Sequence, residues 1–254
     1  MTHRRPLFAA NWKMYKTPDQ ARAFVRAFRE PASALAQRAA IALLVPFTDL
    51  AAVRAELEGS PIAFGAQDCF WERQGAFTGE VSAAMLGAIG ARYCIVGHSE
   101  RRRLFGETDE TVAKKVSALL DAGVTPIVCV GESLAEKQAG RTRERIESQV
   151  ANGLGHLSAA QRAALVVAYE PVWAIGSGLA DQPETADATI AFLRSCAAGL
   201  NEATVLYGGS MKADNAWPFC CREGIDGGLV GSASLDPAGF IELVRNGLEN
   251  TNAG

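Results

Sequence analysis

The sequence predicts a single α/β domain, a closed (β/α)8 barrel of eight parallel strands spanning residues 1–254, on three observations. Short apolar runs of strand length alternate eight times with segments of helical period. The runs are continuous in valine, isoleucine, leucine and alanine, the composition of strands covered on both faces. The 254 residues, 48% of them hydrophobic, suit one large core; such a barrel needs roughly 250 residues. No linker, low-complexity tract or repeat beyond the βα unit divides the chain.

The first strand is Pro6 to Ala10. The first helix opens at Thr17-Pro18-Asp19-Gln20, where Thr17 caps, proline suits the first turn and Gln20 completes a capping box. Ile41 to Pro46 is the second strand, followed by an Ala/Leu/Glu-rich helix to Glu58; Ile62 to Gln67 and Tyr93 to Gly97 are the third and fourth. The fifth, Ile127 to Val130, follows Pro126, which has no N–H for a ladder and is tolerated at a strand's start. Leu134 to about Leu154 reads as one helix, the longest and most charged, whose Arg141 to Glu147 segment is a solvated face with opposite charges in reach. The sixth strand starts at Leu165 and ends on Glu170, which projects from it because Pro171 disfavours the helical region for the residue before it. Val205 to Tyr207 and Gly228 to Val230 are the last strands, and Asp236-Pro237 caps the final helix.

Composition narrows the function. A formal net charge of -3 provides no basic face for nucleic acid. The start, Met-Thr-His-Arg-Arg-Pro, leads into a strand and not into a signal-peptide core, and no apolar stretch is long enough for a membrane, so a cytoplasmic location is expected. Cys69, Cys94, Cys129, Cys196, Cys220 and Cys221 have no metal-ligand spacing and fall mostly in apolar runs, as small packed hydrophobes do. Cys220 and Cys221 resemble a redox pair on one helix, but packing is the simpler reading. Neither a metal nor an organic cofactor is expected.

In a closed barrel the residues just after each strand gather on one rim. Asn11-Trp12-Lys13 follows the first strand, with amide and ammonium two residues apart and able to point the same way; alone, Lys13 reads more often as an ordinary surface lysine, although a lysine straight after a buried strand has few reasons to be there. His98 follows the fourth; of the other two histidines, His3 lies in the terminus and His156 in a helix-to-loop stretch. A histidine placed so is structural as often as catalytic, and Arg101 to Arg103 read as a solvated or interface face. From Pro171 the chain is apolar where loops are usually polar, carrying Val172, Trp173 and Ile175 before Gly176 and Gly178. Alone, this stretch reads either as a lid beside a catalytic glutamate or as a tryptophan pinning a loop. The seventh and eighth strands end in Tyr207-Gly208-Gly209-Ser210 and Gly231-Ser232-Ala233-Ser234, turns whose freed N–H groups suit a phosphate. Cation, histidine, carboxylate and anion cradle thus converge on one rim, which packing does not require.

These motifs, Asn11-Trp12-Lys13-Met14, Gly97-His98-Ser99-Glu100-Arg101-Arg102, Tyr169 to Gly178, Tyr207 to Ser210 and Leu229 to Leu235, resemble the triosephosphate isomerase family in order and over nearly the whole chain. The resemblance implies interconversion of dihydroxyacetone phosphate and D-glyceraldehyde 3-phosphate through an enediolate, in glycolysis and gluconeogenesis. It implies Glu170 as base, His98 as electrophile, Lys13 as cation and Asn11 as oxyanion donor, with N–H groups of Gly176, Ser210, Gly231 and Ser232 around the phosphate. It further implies a homodimer through Gln67 and the loop from Gly75 to Glu80, whose Thr78 reaches the partner's active-site loop. Three positions depart from the family's usual residues: Ser232 for a second glycine, Tyr15 for asparagine and Ser177 for threonine. One carboxylate can serve both carbons of this reaction, and an apolar lid excluding water leaves it poorly solvated and reactive. A different phosphate-binding barrel enzyme would keep the glycine-rich corner without His98, Glu170 and the lid; a non-catalytic phosphate sensor of the same fold would be expected to lack Glu170 or Lys13.

Overall fold

Side-chain parity decides what points into the mouth of this molecule. The computed structural model describes residues 4–175 and 181–249. Eight parallel strands close on themselves in sequence order: β1 (Leu7–Asn11), β2 (Ala40–Val45), β3 (Ala63–Ala66), β4 (Tyr93–Val96), β5 (Thr125–Val130), β6 (Val166–Tyr169), β7 (Thr204–Tyr207) and β8 (Gly227–Val230). Each strand buries both faces, as continuous apolar runs require. One face fills the barrel with Leu7, Ala9, Ala42, Leu44, Ile95, Ile127, Cys129, Val166, Ala168, Leu206 and Leu229. The other packs under the helices, with Phe8, Leu43, Val96, Val128, Val167 and Val205 among its members. Extending the inward series two residues at a time reaches Asn11 after Leu7 and Ala9, and Glu170 after Val166 and Ala168.

Asp226 closes the seam below the site. Its carboxylate accepts from Arg4 Nε at 3.0 Å, Arg194 Nη2 at 2.6 Å and the Val205 N–H at 2.8 Å, and its carbonyl accepts from the Leu7 N–H at 2.8 Å. One residue thus joins β7, β8 and β1, where β7 and β8 share a single register pair, Tyr207 with Gly228.

The outer helices are α1 (Pro18–Leu35), α2 (Leu50–Glu56), α3 (Ala83–Ala88), α4 (Ser99–Phe105), α5 (Asp109–Asp121), α6 (Leu134–Gln138), α7 (Thr142–Leu154), α8 (Ala159–Ala163), α9 (Pro183–Ser195), α10 (Ala216–Cys220) and α11 (Pro237–Leu248). Thr17 and Gln20 make the expected capping box of α1. The expectation of one helix from Leu134 to about Leu154 is corrected. The chain breaks into α6 and α7 at Gly140, which takes φ 70° as a left-handed terminator, and the longest helix among the described residues is the 18-residue α1. Pro126 lies inside β5, opposite Cys94, and not before it.

Candidate active site

Glu170 is 2% exposed at the end of β6, and its N–H donates to Val130 O at 2.8 Å. The neighbouring backbone can come this close because residue 131 is glycine: a Cβ there would stand 1.8 Å from Glu170 O. The carboxylate is held unevenly. Ser99 N–H, in the first turn of α4, donates to Oε2 at 2.9 Å. His98 Nε2 stands 3.0 Å from Oε1 but off the line of a hydrogen bond, leaving Oε1 buried with no bond to it.

Gly97, at φ 71°, turns β4 directly into α4 and makes His98 the N-cap. The Glu100 N–H donates to His98 Nδ1 at 3.2 Å, so Nδ1 is the acceptor nitrogen and the ring hydrogen sits on Nε2, facing Glu170. A buried ion cluster fixes this turn. Glu107 accepts from the Gly97 N–H at 3.1 Å, from Arg101 Nε at 3.1 Å and from Lys115 Nζ at 3.0 Å, while Lys115 also reaches Asp68 at 2.6 Å.

Asn11 and Lys13 follow β1. The Lys13 N–H donates to Asn11 Oδ1 at 3.0 Å, and Gln67 Nε2 donates to Lys13 O at 2.8 Å, holding Lys13 at φ 52°. Its ammonium lies 2.5 Å from Glu100 Oε1, which places Glu100 between cation and histidine.

These groups line one cavity of about 460 Å³ with Ser210, Gly231 and Ser232, within the range typical of small-ligand pockets, roughly 300–1,000 Å³. Catalytic and phosphate-cradle candidates from five strand ends are therefore together. Tyr15, expected to differ from the family, is half exposed at the mouth, and Ser232 is exposed. Gly176 and Ser177 lie outside the described residues. Ser234 shapes the β8 turn, its hydroxyl donating to Val230 O at 3.0 Å and Gly231 O at 2.7 Å.

Sequence reasoning missed the supports. Fully buried Glu132 accepts from Trp173 Nε1 at 2.9 Å and from Tyr169 Oη at 3.2 Å, anchoring the turn Val172–Ala174 beyond Glu170, and burial pushes its carboxyl up from the ordinary value. Lys137 covers the Trp173 ring at 4.0 Å. Cys129 lies inside the barrel near Glu170, where burial and then that carboxylate's charge push its thiol well up, so it remains a packed thiol. The available signal was position: Glu132 falls two residues past a strand end. Buried carboxylates are usually legible only through partners distant in sequence.

The sequence model of the triosephosphate isomerase family matches residues 6–247. Among curated relatives, the triosephosphate isomerase of Solibacter usitatus is 46% identical over 248 residues, covering 95% of this chain and 99% of its own. That of Moorella thermoacetica is 48% identical over 247 residues, covering 95% and 98%, and that of Synechocystis sp. is 44% identical over 242 residues, covering 95% and 98%. Eight strands closed in order, a carboxylate, histidine and lysine converging from three strand ends, and a match over nearly the whole length agree: the chain belongs to the triosephosphate isomerase family.

Proposed function

We propose that the chain interconverts dihydroxyacetone phosphate and D-glyceraldehyde 3-phosphate by moving one proton between neighbouring carbons through an enediolate. The observation that carries this is Glu170 Oε1, a buried carboxylate oxygen without a hydrogen bond, facing a cavity shared with His98 and Lys13. Glu170 takes the proton from one carbon and returns it to the other. Oε2 stays fixed on the Ser99 N–H, so the oxygen that moves the proton is Oε1. His98 presents its Nε2–H to the substrate oxygens, polarising the carbonyl and passing protons between them. Lys13 and Asn11 stabilise the negative charge that develops, a contribution worth roughly 3–4 kcal/mol for a well-placed donor. When substrate enters, Lys13 exchanges Glu100 for the ligand. The backbone N–H groups of Ser210, Gly231 and Ser232, with Gly176, receive the phosphate, and the segment from Pro171 to Gly178 covers it.

The whole chain, 1–254, is read as one barrel domain working as a homodimer in the cytoplasm, in glycolysis and gluconeogenesis. The dimer reading is supported by exposed apolar side chains, Met14 at 94% and Phe105 at 68% beside Gln67, and Phe77 at 42% in the 75–80 loop. The cytoplasmic reading is supported by six free thiols, three of them buried. Among the described residues no helix is long and apolar enough to cross a membrane.

Replacing Glu170 with glutamine tests the assignment. The amide keeps the shape but cannot accept the proton, so kcat in a coupled assay from D-glyceraldehyde 3-phosphate should fall by at least about 100-fold with the fold intact. Turnover within tenfold of wild type would sink it.

A further inference from the structure

Among the described residues, only Lys13 and Lys16 are non-glycine residues with positive φ, and both lie in the loop after β1. Lys13 reaches the cavity; Lys16 does not line it. At φ 75° Lys16 occupies a conformation that glycine adopts freely and a side-chain-bearing residue adopts at a cost. Its side chain is half-buried. The ammonium donates to Leu235 O at 2.7 Å and stands 5.2 Å from the Trp12 ring centroid and 4.9 Å from that of Phe24. Asp49, fully buried in the turn Phe47–Asp49 after β2, and Asp236 are the acidic groups whose fields act on it. One Asp49 oxygen takes only a 3.3 Å bond from Thr48 and the other takes none, and Lys16 is the cation whose field acts on this carboxylate.

Leu235 closes the 3-10 turn Ser232–Ser234, the turn that carries the phosphate-cradle residues. Lys16 therefore ties the segment carrying Asn11 and Lys13 to the cradle after β8 through Leu235, with the field of Asp49 after β2 acting on the same ammonium. We infer that Lys16 is a positioning residue for the phosphate end of the site, holding the Asn11–Lys13 loop and the Gly231–Leu235 turn in register. The inference rests on the proposed function only in taking that turn as a phosphate cradle. The two segments meet at the site: a Cβ on Gly231 would lie 3.3 Å from Lys13 Cε, so the lysine stem runs close beside the cradle backbone. A small relative shift of the two loops would change where the ammonium and the cradle N–H groups meet one anion, and misplacement by about 1 Å can cost on the order of 100-fold in such sites.

Three variants separate positioning from stability. Lys16→Met keeps an apolar stem over the rings and removes the ammonium. Lys16→Gly removes the tie while relieving the left-handed backbone. Lys16→Arg retains a cation that can stack on the rings and donate to Leu235 O. Inorganic phosphate binding, followed by calorimetry, and KM and kcat for D-glyceraldehyde 3-phosphate are measured for each. In Lys16→Met and Lys16→Gly the phosphate Kd and KM should rise about tenfold and kcat should fall with them, since Lys13 moves with its loop, and Lys16→Arg should recover most of the affinity and turnover. Wild-type phosphate affinity and KM in a folded Lys16→Gly would overturn the inference. Should Lys16→Met fail to fold, Lys16→Gly decides alone. The phosphate measurement needs no turnover, so absent isomerase activity in the wild type would count against the proposed function and leave this test standing.

Discussion

At the scale of single residues, a buried carboxylate oxygen left without a partner on the wall of the cavity marks the chemistry. Glu170 keeps one oxygen bonded and one bare, whereas Glu132, equally hidden, has both oxygens engaged by Tyr169 and Trp173 and works as an anchor. The two are distinguished by their contacts and not by their burial. Glu132 also makes a pH prediction. Desolvation raises its folded-state value above the ordinary 4.5, so the folded protein binds more protons than the unfolded chain between the two. Its ionised form therefore subtracts stability at neutral pH, and this deficit is recovered as pH falls through the folded value toward 4.5. Glu132→Gln keeps the acceptor oxygen for Trp173 and carries no charge to desolvate. Its Tm relative to wild type should be highest near pH 7 and lose that advantage as pH approaches 4.5. A Tm difference that does not vary with pH would remove Glu132 from this account.

At the scale of elements, much was legible because each strand is a short apolar run ending where a glycine, proline or polar group must begin. The site was legible for the same reason: Asn11, Lys13, His98, Glu170, Ser210 and Gly231 all fall just past such runs, and the structure brings them to one cavity. What was not legible depends on partners far apart in sequence. Glu107, Lys115 and Asp68 form one buried ion cluster, yet Lys115 and Asp68 are 47 residues apart. In α6 and α7, apolar and charged spacing runs on through Gly140, and a glycine inside a periodic segment is ambiguous until its φ is known. Two glycines make contrasting predictions. A Cβ on Gly140 would meet nothing within 4 Å, so Gly140→Ala should cost only the left-handed backbone penalty, about 1–2 kcal/mol in urea unfolding, with kcat unchanged. A Cβ on Gly131 would meet Glu170 O at 1.8 Å and Glu170 C at 2.6 Å, so Gly131→Ala should displace the base itself. Its kcat should fall by on the order of 100-fold even where the protein remains folded. Equal kcat in the two variants would break the link between the Gly131 contact and the placement of Glu170.

At the scale of the whole molecule, the proposed dimer is a claim about how Lys13 is held. Lys13 is anchored from its own chain by Gln67, yet the adjacent Met14 is 94% exposed, a large apolar side chain left to solvent beside a residue kept in a left-handed conformation. A cavity of about 290 Å³ lies beside it, lined by Lys13, Met14, Phe47, Gln67 and Phe105. Its size suits a few side chains at a loop tip, and the 75–80 loop is exposed along its length with Phe77 and Thr78 available to fill such a cavity on a second copy. An exchange of this kind is self-complementary, as a two-fold dimer requires. Activity should then depend on protein concentration, because a monomer loses the packing that restrains the segment from Met14 to Lys16 and with it the placement of Lys13. Thr78→Arg would force a bulky side chain into a cavity lined by both signs of charge, Lys13 and Arg101 with Asp68 and Glu100, so that its size breaks the fit. It should yield monomers by sedimentation with kcat lowered at least about tenfold, while far-UV dichroism remains that of a folded barrel. A monomeric Thr78→Arg protein with wild-type turnover would mean that the loop after β1 is held by its own chain alone, through Gln67, Asn11 and Lys16.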